Sequence, residues 1–516
     1  MKRTLLLTGI ALVACLELIP EPKSGPRFDQ RDSKASAARV EAGLPAVTQG
    51  DRTEQRSLTE WMEALAVPGV SIAVIDDNRI VWAKAYGVTT PGPLGSPVKP
   101  DTVFQAASIA KPVAALAVLH HVERGTFELD ADINGYLQSW RLPEGELQGG
   151  ETVTIRRLLA HTAGITPGGF QGYARTEPLP GIKQIVEGAA PATNPAARVL
   201  AKPGSEVAYS GLGYSLLQLA LEEHLEQSFE MIVQDSVLLP LALQDSSFDQ
   251  VLSDEDMERA ARGHLGIGAG VDGGWRVYPE LAAAGLWTTP TDLATLALDV
   301  ARSKRDGSGR LLSRDMARQM LAPQEVLAPQ GDGMGLGFVV RGDGAFGYFA
   351  HSGGNPGYFA HLEMLADTGQ GIVIMTNAEA GQALASLIVA SVANEYAWPL
   401  LDRRIVSPDR VERVFAQLDR VANNRVIAEV APAVLSRYIG KYELAPGMLF
   451  DITLDHGQLQ LRLGDQPQFP MFPQSENRFF LKAVDAQITF VMDEAGQPAS
   501  LILHQGGRNQ QAARVD

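Results

Sequence analysis

The chain has 516 residues, of which 45% are hydrophobic, so it can bury a large core in roughly two to four domains. Its 44 basic and 60 acidic residues give a net charge of −16, which argues against nucleic acid and anionic lipid as main partners. The lone cysteine, Cys15, excludes an internal disulfide and a cysteine-cluster metal site.

The N-terminus has the pattern of an export signal. Lys2 and Arg3 precede a mostly apolar run to Val13 that is too short to span a bilayer. The run ends at Cys15 in a pattern that resembles a bacterial lipobox, whose cysteine becomes lipidated. We therefore predict a lipoprotein-type signal peptide over residues 1–15, with an ordinary export signal as the alternative. The expected location is the periplasm or cell envelope, with membrane contact through the lipid anchor alone.

The next segment, residues 16–57, is rich in proline, charged and small residues without a stable period, which predicts a flexible tether. Residues 58–400 then combine a short helix, a strand hairpin, a long helical region, further strands and a helix. The predicted strands are 70–75, 80–86, 336–341, 347–351, 358–365 and 371–376, and the predicted flanking helices are 58–65 and 382–396. This order predicts an α/β (α+β) fold in which one antiparallel sheet is flanked by helices and carries a large helical insert.

The C-terminal part differs in character. Residues 401–432 have a helical pattern and are interpreted as a linker. Over residues 433–516, short alternating strands are separated by turns such as Asp455-His456-Gly457. Strands at this spacing predict a small antiparallel β-barrel.

The pattern Ser-x-x-Lys occurs twice, at Ser96 and Lys99 and again at Ser108 and Lys111. The first copy lies in a Gly/Pro-rich loop and is interpreted as chance. The second opens an apolar helical stretch, where residues three apart share a face. A buried lysine with a lowered pKa can take the proton of a serine hydroxyl, so this copy is a candidate for nucleophilic catalysis.

Two further segments carry candidate residues. Tyr209 lies in a loop immediately before an apolar helix, where a phenol could project into a cleft. His351 is followed by Ser352, Gly353 and Gly354 at the end of a predicted strand. Glycines at this place allow a close approach between the backbone and a substrate.

A Ser-x-x-Lys helix, a tyrosine triplet and a Lys/His-x-Gly strand in this order resemble the serine β-lactamase and penicillin-binding protein superfamily. Residues 154–165 and 284–293 are similar to segments of its class C-like branch, which includes D-Ala-D-Ala carboxypeptidases, D-aminopeptidases and esterases. The resemblance covers roughly residues 58–400. The stretch from Tyr438 to Leu444 resembles the lipocalin-like C-terminal domain of some members.

This resemblance implies a role for each candidate residue. Ser108 would be the nucleophile, and Lys111 and Tyr209 would share the general-base work, with the proton acceptor of the pair left open. The backbone N–H groups of Ser108 and Gly354 would form the oxyanion hole, and His351 would supply charge and hydrogen bonds. Three further residues, Gly211, Ser352 and Gly353, would contact the substrate. No metal or organic cofactor is implied.

Two departures from the family pattern bear on the substrate. The tyrosine triplet ends in Gly211 where an asparagine is common, and the third motif begins with His351 where β-lactamases usually have lysine. Both departures disfavour β-lactam hydrolysis and leave D-amino-acid peptides or small esters as expected substrates. A class C-like β-lactamase and a non-catalytic envelope binding protein are the alternatives. The sequence is compatible with an oligomer.

Overall fold

The computed structural model describes residues 30–92, 95–326, 332–342, 347–423, 427–445, 447–464, 466, 468–481, 486–493, 495–505 and 508–515. The predicted signal peptide and Cys15 therefore lie outside the described residues. Among the residues described, no helix is both long enough and apolar enough to cross a bilayer.

Fifteen α-helices occur in the described part of the chain. They are α1 (Gln30–Ala42), α2 (Leu58–Ala64), α3 (Ala110–Glu123), α4 (Ile155–Leu159), α5 (Ile182–Glu187), α6 (Gly211–Leu225), α7 (Phe229–Val233), α8 (Leu239–Leu241), α9 (Asp254–Arg259), α10 (Leu281–Ala284), α11 (Pro290–Asp306), α12 (Arg314–Met320), α13 (Gly381–Glu395), α14 (Pro408–Asn423) and α15 (Pro432–Leu435).

The strands of the first domain are β1 (Val47–Gln49), β2 (Arg52–Glu54), β3 (Gly69–Asp76), β4 (Arg79–Gly87), β5 (Phe104–Gln105), β6 (His264–Leu265), β7 (Ala269–Gly270), β8 (Trp287–Thr288), β9 (Glu325–Val326), β10 (Asp332–Met334), β11 (Val339–Arg341), β12 (Tyr348–Asn355), β13 (Tyr358–Leu365) and β14 (Gln370–Thr376). The C-terminal strands are β15 (Gly440–Ala445), β16 (Met448–Asp455), β17 (Gln458–Leu463), β18 (Phe469–Pro473), β19 (Arg478–Leu481), β20 (Ala486–Met492), β21 (Pro498–Gln505) and β22 (Arg508–Arg514).

An eight-stranded antiparallel sheet forms the centre of the first domain, in the order β4-β3-β14-β13-β12-β11-β10-β9. The predicted hairpin is confirmed as β3 and β4, and β14 returns from far along the chain to pair Ile374 with Ile72. Strand β12 pairs with β13 over residues 349–355, whereas its described pairing with β11 covers residues 348–350. The second half of β12 therefore presents one edge to the space in front of α3.

Each face of this sheet carries its own core, because successive strand residues point to opposite sides. On β13, Ala360 and Leu362 pack into one core with helices α3, α6, α10 and α11. Leu365, on the same strand, faces the other core, which contains residues of α1, α2, α13 and α14. The predicted α/β (α+β) fold with helices on an antiparallel sheet is confirmed.

The prediction of a flexible tether through residue 57 is wrong for residues 30–57. Helix α1 and the β1–β2 hairpin belong to the second core, in which Ala37 and Val40 are buried. Ser391 of α13 donates a hydrogen bond to the Val40 carbonyl at 3.2 Å, and Arg39 forms an ion pair with Glu395 at 2.6 Å. The small apolar residues of this segment form a buried stripe only because α13 provides the complementary surface.

The segment interpreted as a helical linker contains α14, which packs on the first domain. Val414, Phe415 and Leu418 are buried in the second core. Between them, Gln417 donates hydrogen bonds to the carbonyls of Leu65 and Gly266, both at 3.0 Å. The helical character is confirmed, and the segment is fixed to the domain body rather than free.

The C-terminal strands close an eight-stranded antiparallel barrel in which each strand pairs with its neighbour in sequence. Closure occurs between β15 and β22, where Tyr442 lies opposite Arg514. Packed apolar side chains fill the interior, including Phe450, Phe479 and Phe490. The predicted small β-barrel is thus confirmed, and each of its described strands pairs with a neighbour on both sides.

Candidate active site

Ser108 lies in a short 3-10 turn, Ala107–Ile109, between strand β5 and helix α3. The preceding residue, Ala107, has a φ of 51°, a left-handed conformation that is strained for a residue with a Cβ. The turn is closed by a hydrogen bond from the Ile109 N–H to the Ala106 carbonyl at 3.1 Å. The α-helix expected to begin at Ser108 begins at Ala110, so the strained turn presents the serine ahead of the helix.

Lys111 lies in the first turn of α3 and is directed at the serine. Its Nζ donates hydrogen bonds to Ser108 Oγ at 3.1 Å and to the Ala283 carbonyl at 2.7 Å. The side chain is only 2% exposed, and this burial lowers the pKa of Lys111 to about 7. Near neutral pH, much of this lysine is therefore uncharged and able to accept a proton.

Tyr209 precedes α6 and lies beside Lys111. The centroid of its ring is 4.9 Å from Lys111 Nζ, and the residue is 39% exposed. Burial raises the pKa of Tyr209 to about 12, partly offset by the nearby Ser108 side chain, so the phenol keeps its proton at working pH.

His351, on β12, lies on the other side of Tyr209, with 6.4 Å between the two ring centroids. Its Nδ1 donates to the Ser352 carbonyl at 2.8 Å, because a carbonyl can only accept. Burial and the charge of Lys111 lower the pKa of His351 to about 3. At neutral pH this favours an uncharged ring that presents Nε2 as an acceptor, so hydrogen bonding rather than charge is the role that the surroundings of His351 support.

The glycines after His351 bring β12 close to the nucleophile. A Cβ on Gly353 would lie 2.0 Å from the Ala106 carbonyl oxygen and 2.9 Å from the Ser108 nitrogen, so only glycine allows this approach. A Cβ on Gly354 would meet nothing within 4 Å. Asn355 and Tyr358 form the hydrogen-bonded pair that closes the turn between β12 and β13. Hydrogen-bonded and non-hydrogen-bonded pairs alternate along antiparallel strands, so Gly354 belongs to a non-hydrogen-bonded pair. Its N–H therefore points away from β13 and toward the open edge.

Two other expected contact residues have different surroundings. Gly211 is buried at the start of α6, where a Cβ would lie 2.7 Å from the ring of Phe170 and 3.1 Å from the Gly168 carbonyl oxygen. Phe170 thus fills the space of the amide side chain that the family often carries there. Ser352 is exposed on β12, and its Oγ is 2.9 Å from Nδ1 of His361 on β13.

The first Ser-x-x-Lys copy, Ser96 and Lys99, does not take part in this arrangement. Ser96 and Lys99 are exposed in the loop after β4, where the Ser96 carbonyl accepts a hydrogen bond from the Thr89 N–H at 2.8 Å. Within the described ranges, no group of His, Cys, Asp and Glu side chains is arranged to hold a metal ion.

Sequence reasoning missed two features of the site. One is the left-handed Ala107, which has no local signal because alanine rarely adopts this conformation. The other is Asn355, which donates to Gln105 Oε1 at 3.0 Å and ties the end of β12 to β5. Its position directly after the paired glycines was the available clue.

Comparisons with known proteins identify the family of both parts of the chain. The family model described as Beta-lactamase matches residues 55–392, and one described as a domain of unknown function, DUF3471, matches residues 424–514. Penicillin-binding protein 4* of Bacillus subtilis (strain 168) is 24% identical over 442 residues, covering 81% of this chain and 89% of its own length.

Two solved structures show the same fold. The octameric penicillin-binding protein homologue from Pyrococcus abyssi has a TM-score of 0.54 and 22% identity, covering 88% of this chain and 98% of that one. The D-amino acid amidase from Ochrobactrum anthropi SV3 has a TM-score of 0.52 and 18% identity, covering 65% and 99%. The chain belongs to the beta-lactamase family of serine hydrolases and is related to penicillin-binding proteins.

Proposed function

We propose that the chain is an exported acyl hydrolase that forms an acyl-enzyme on Ser108 and cleaves D-amino-acid-containing peptides or small esters. The observation that carries this proposal is the buried Lys111, whose Nζ is 3.1 Å from Ser108 Oγ and whose pKa is lowered to about 7. A lysine that is neutral near physiological pH can remove the serine proton as the serine attacks.

The pKa values favour different proton-transfer roles for Lys111 and Tyr209. Neutral Lys111 accepts the proton of Ser108 while Oγ forms a bond to the substrate carbonyl carbon. The N–H groups of Ser108 and Gly354 hold the oxyanion. Protonated Tyr209 donates its proton to the leaving nitrogen or oxygen as that bond breaks, and recovers a proton from Lys111. Water then attacks the carbonyl carbon of the Ser108 ester. The same proton transfers run in reverse, and the acid is released as Ser108 regains its proton.

The expected substrate class rests on two supports. The open edge of β12 beside Ser108 offers backbone groups that an extended peptide can pair with, in the manner of an added strand. The structural relative from Ochrobactrum anthropi SV3 is named a D-amino acid amidase. Phe170 occupies the place of the family's amide side chain, so we expect poor turnover of β-lactams.

The decisive experiment follows p-nitrophenol release from p-nitrophenyl acetate by soluble protein lacking residues 1–15. We expect a stoichiometric burst in the wild type, its loss in Ser108→Ala, and an acetyl group on Ser108 by mass spectrometry. Ser96→Ala, in the exposed first copy of the motif, is the matched control. Equal release by wild type and Ser108→Ala would contradict the proposal and favour a binding protein with a degenerate site.

Export and anchoring are a separate part of the proposal and rest on the lipobox-like sequence that ends at Cys15. We expect the full chain, expressed in a bacterium, to incorporate labelled fatty acid and to sediment with membranes. Cys15→Ser should abolish labelling. Labelling that persists in Cys15→Ser would contradict lipidation at this residue.

A further inference from the structure

One residue outside the expected catalytic set, His161, contacts Tyr209 and both of its sequence neighbours. It follows α4 in a His-Thr-Ala-Gly turn. The residue is 2% exposed, and its φ of 58° places a non-glycine residue in the left-handed region. Strain of this kind persists where surrounding contacts hold the residue in place.

His161 holds both sequence neighbours of Tyr209. Its main-chain carbonyl accepts a hydrogen bond from the Ala208 N–H at 2.9 Å. Its Nδ1 accepts a hydrogen bond from the Ser210 N–H at 3.2 Å. The left-handed backbone lets carbonyl and ring reach the same short segment, so the peptide groups on either side of Tyr209 are tied to a single residue.

The imidazole ring also supports the tyrosine ring directly. The centroids of the His161 and Tyr209 rings are 4.3 Å apart, with 37° between the planes. The His161 ring also lies 5.3 Å, centroid to centroid, from the ring of the buried Tyr214, so it packs between the two tyrosines. A packed ring at this distance limits the orientations open to the phenol.

The ring is held in one protonation state. Because the Ser210 N–H needs a lone pair on Nδ1, the neutral ring carries its proton on Nε2. Burial, together with the charge of Lys111, lowers the pKa of His161 well below its ordinary value. Nε2 is buried without a hydrogen-bond partner among the described residues, a cost that packing alone does not repay.

We propose that His161 is a positioning residue that holds Tyr209, through the bonds to Ala208 and Ser210, in the orientation needed to protonate the leaving group. This inference rests on the proposed function, in which Tyr209 is the general acid. Proton donation by Tyr209 accelerates the reaction most when the leaving group is a poor one. It contributes much less when the leaving group departs as a stable anion. The role of His161 therefore predicts a dependence on the leaving group that a general loss of folding would not produce.

The test compares p-nitrophenyl acetate, whose leaving group departs unprotonated, with ethyl acetate, which carries the same acyl group on a poor leaving group. For His161→Ala we expect kcat/KM for ethyl acetate to fall about 100-fold, mainly in kcat, and that for p-nitrophenyl acetate to fall by no more than about threefold. In a Tyr209→Phe background, His161→Ala should add little, because the two residues act as one unit.

His161→Asn keeps the proposal testable if the alanine variant folds poorly. Asparagine tolerates the left-handed conformation, and its Oδ1 can accept from the Ser210 N–H. We expect it to recover most of the ethyl acetate turnover. His264→Asn is the matched control, because this buried histidine bonds the Asn377 carbonyl rather than a residue of the cleft.

Equal losses on both esters in His161→Ala, or an asparagine variant no better than alanine, would overturn the proposal while leaving the proposed function intact. Release of p-nitrophenol that is insensitive to Ser108→Ala would remove the proposed function and this inference with it. A selective loss on ethyl acetate that asparagine restores would establish His161 as the positioning residue.

Discussion

The pH dependence of acylation tests the role assigned to Lys111. With a pKa of about 7, half of the lysine side chains are neutral at pH 7. A lysine with the ordinary pKa of 10.5 would be neutral in only about one molecule in 3000 at that pH. Burial therefore raises the population of the competent base about 1000-fold or more at neutral pH.

The expected profile follows from the direction of this change. The neutral form of lysine exists above the pKa, so the burst rate with p-nitrophenyl acetate should rise with pH, reach half of its maximum near pH 7, and then level off. Tyr209, with a pKa of about 12, stays protonated through this range. Lys111→Arg should lower the burst rate about 1000-fold at every pH, because a guanidinium keeps its proton.

Stopped-flow measurement of the burst between pH 5 and about pH 10 would decide the matter, with Lys99→Arg in the exposed motif copy as control. A rate that keeps rising toward pH 10 and above would mean that the tyrosine phenolate is the base. A burst retained in Lys111→Arg would refute the role of Lys111 as proton acceptor.

Three further variants test the surrounding structure. Gly353→Ala should lower kcat about 100-fold, because its Cβ would lie 2.0 Å from a carbonyl oxygen two residues before the nucleophile and would push β12 away. Arg403→Met should cost about 3–5 kcal/mol of unfolding free energy, because it leaves the buried carboxylate of Glu363 without its cation. Gly211→Asn should destabilise the protein through contact with Phe170, and Phe170→Ala should restore part of that stability.

Turnover of p-nitrophenyl acetate by a folded Gly353→Ala protein at the wild-type rate would show that glycine is not required for the close approach of β12 to the nucleophile. The pKa of Glu363 falls to about 2 because His361 and Arg403 outweigh its burial. The ion pair therefore stabilises above the ordinary carboxyl pKa, and urea unfolding should show the Arg403→Met deficit shrinking as the pH falls toward 2. For Gly211→Asn, equal melting temperatures with and without Phe170→Ala would contradict the steric explanation.

Much of the architecture follows from local pattern. Local sequence located β13 and β14, and short alternating strands located the barrel. The spacing of Ser108 and Lys111 by three residues placed both side chains on one helical turn, where a hydrogen bond forms. These features depend on backbone periodicity, which a sequence carries within a few residues of each position.

Contacts between distant segments decided the rest. Residues 30–57 are structured because α13 buries the face of α1, Gly211 is glycine because Phe170 lies against it, and His161 meets Tyr209 only through a folded loop. The lowered pKa of Lys111 likewise comes from burial by the domain around it. Sequence determines which side chains share a strand face or a helical turn, whereas burial and neighbours depend on the packing of elements far apart in the chain, and these set the chemistry of the site.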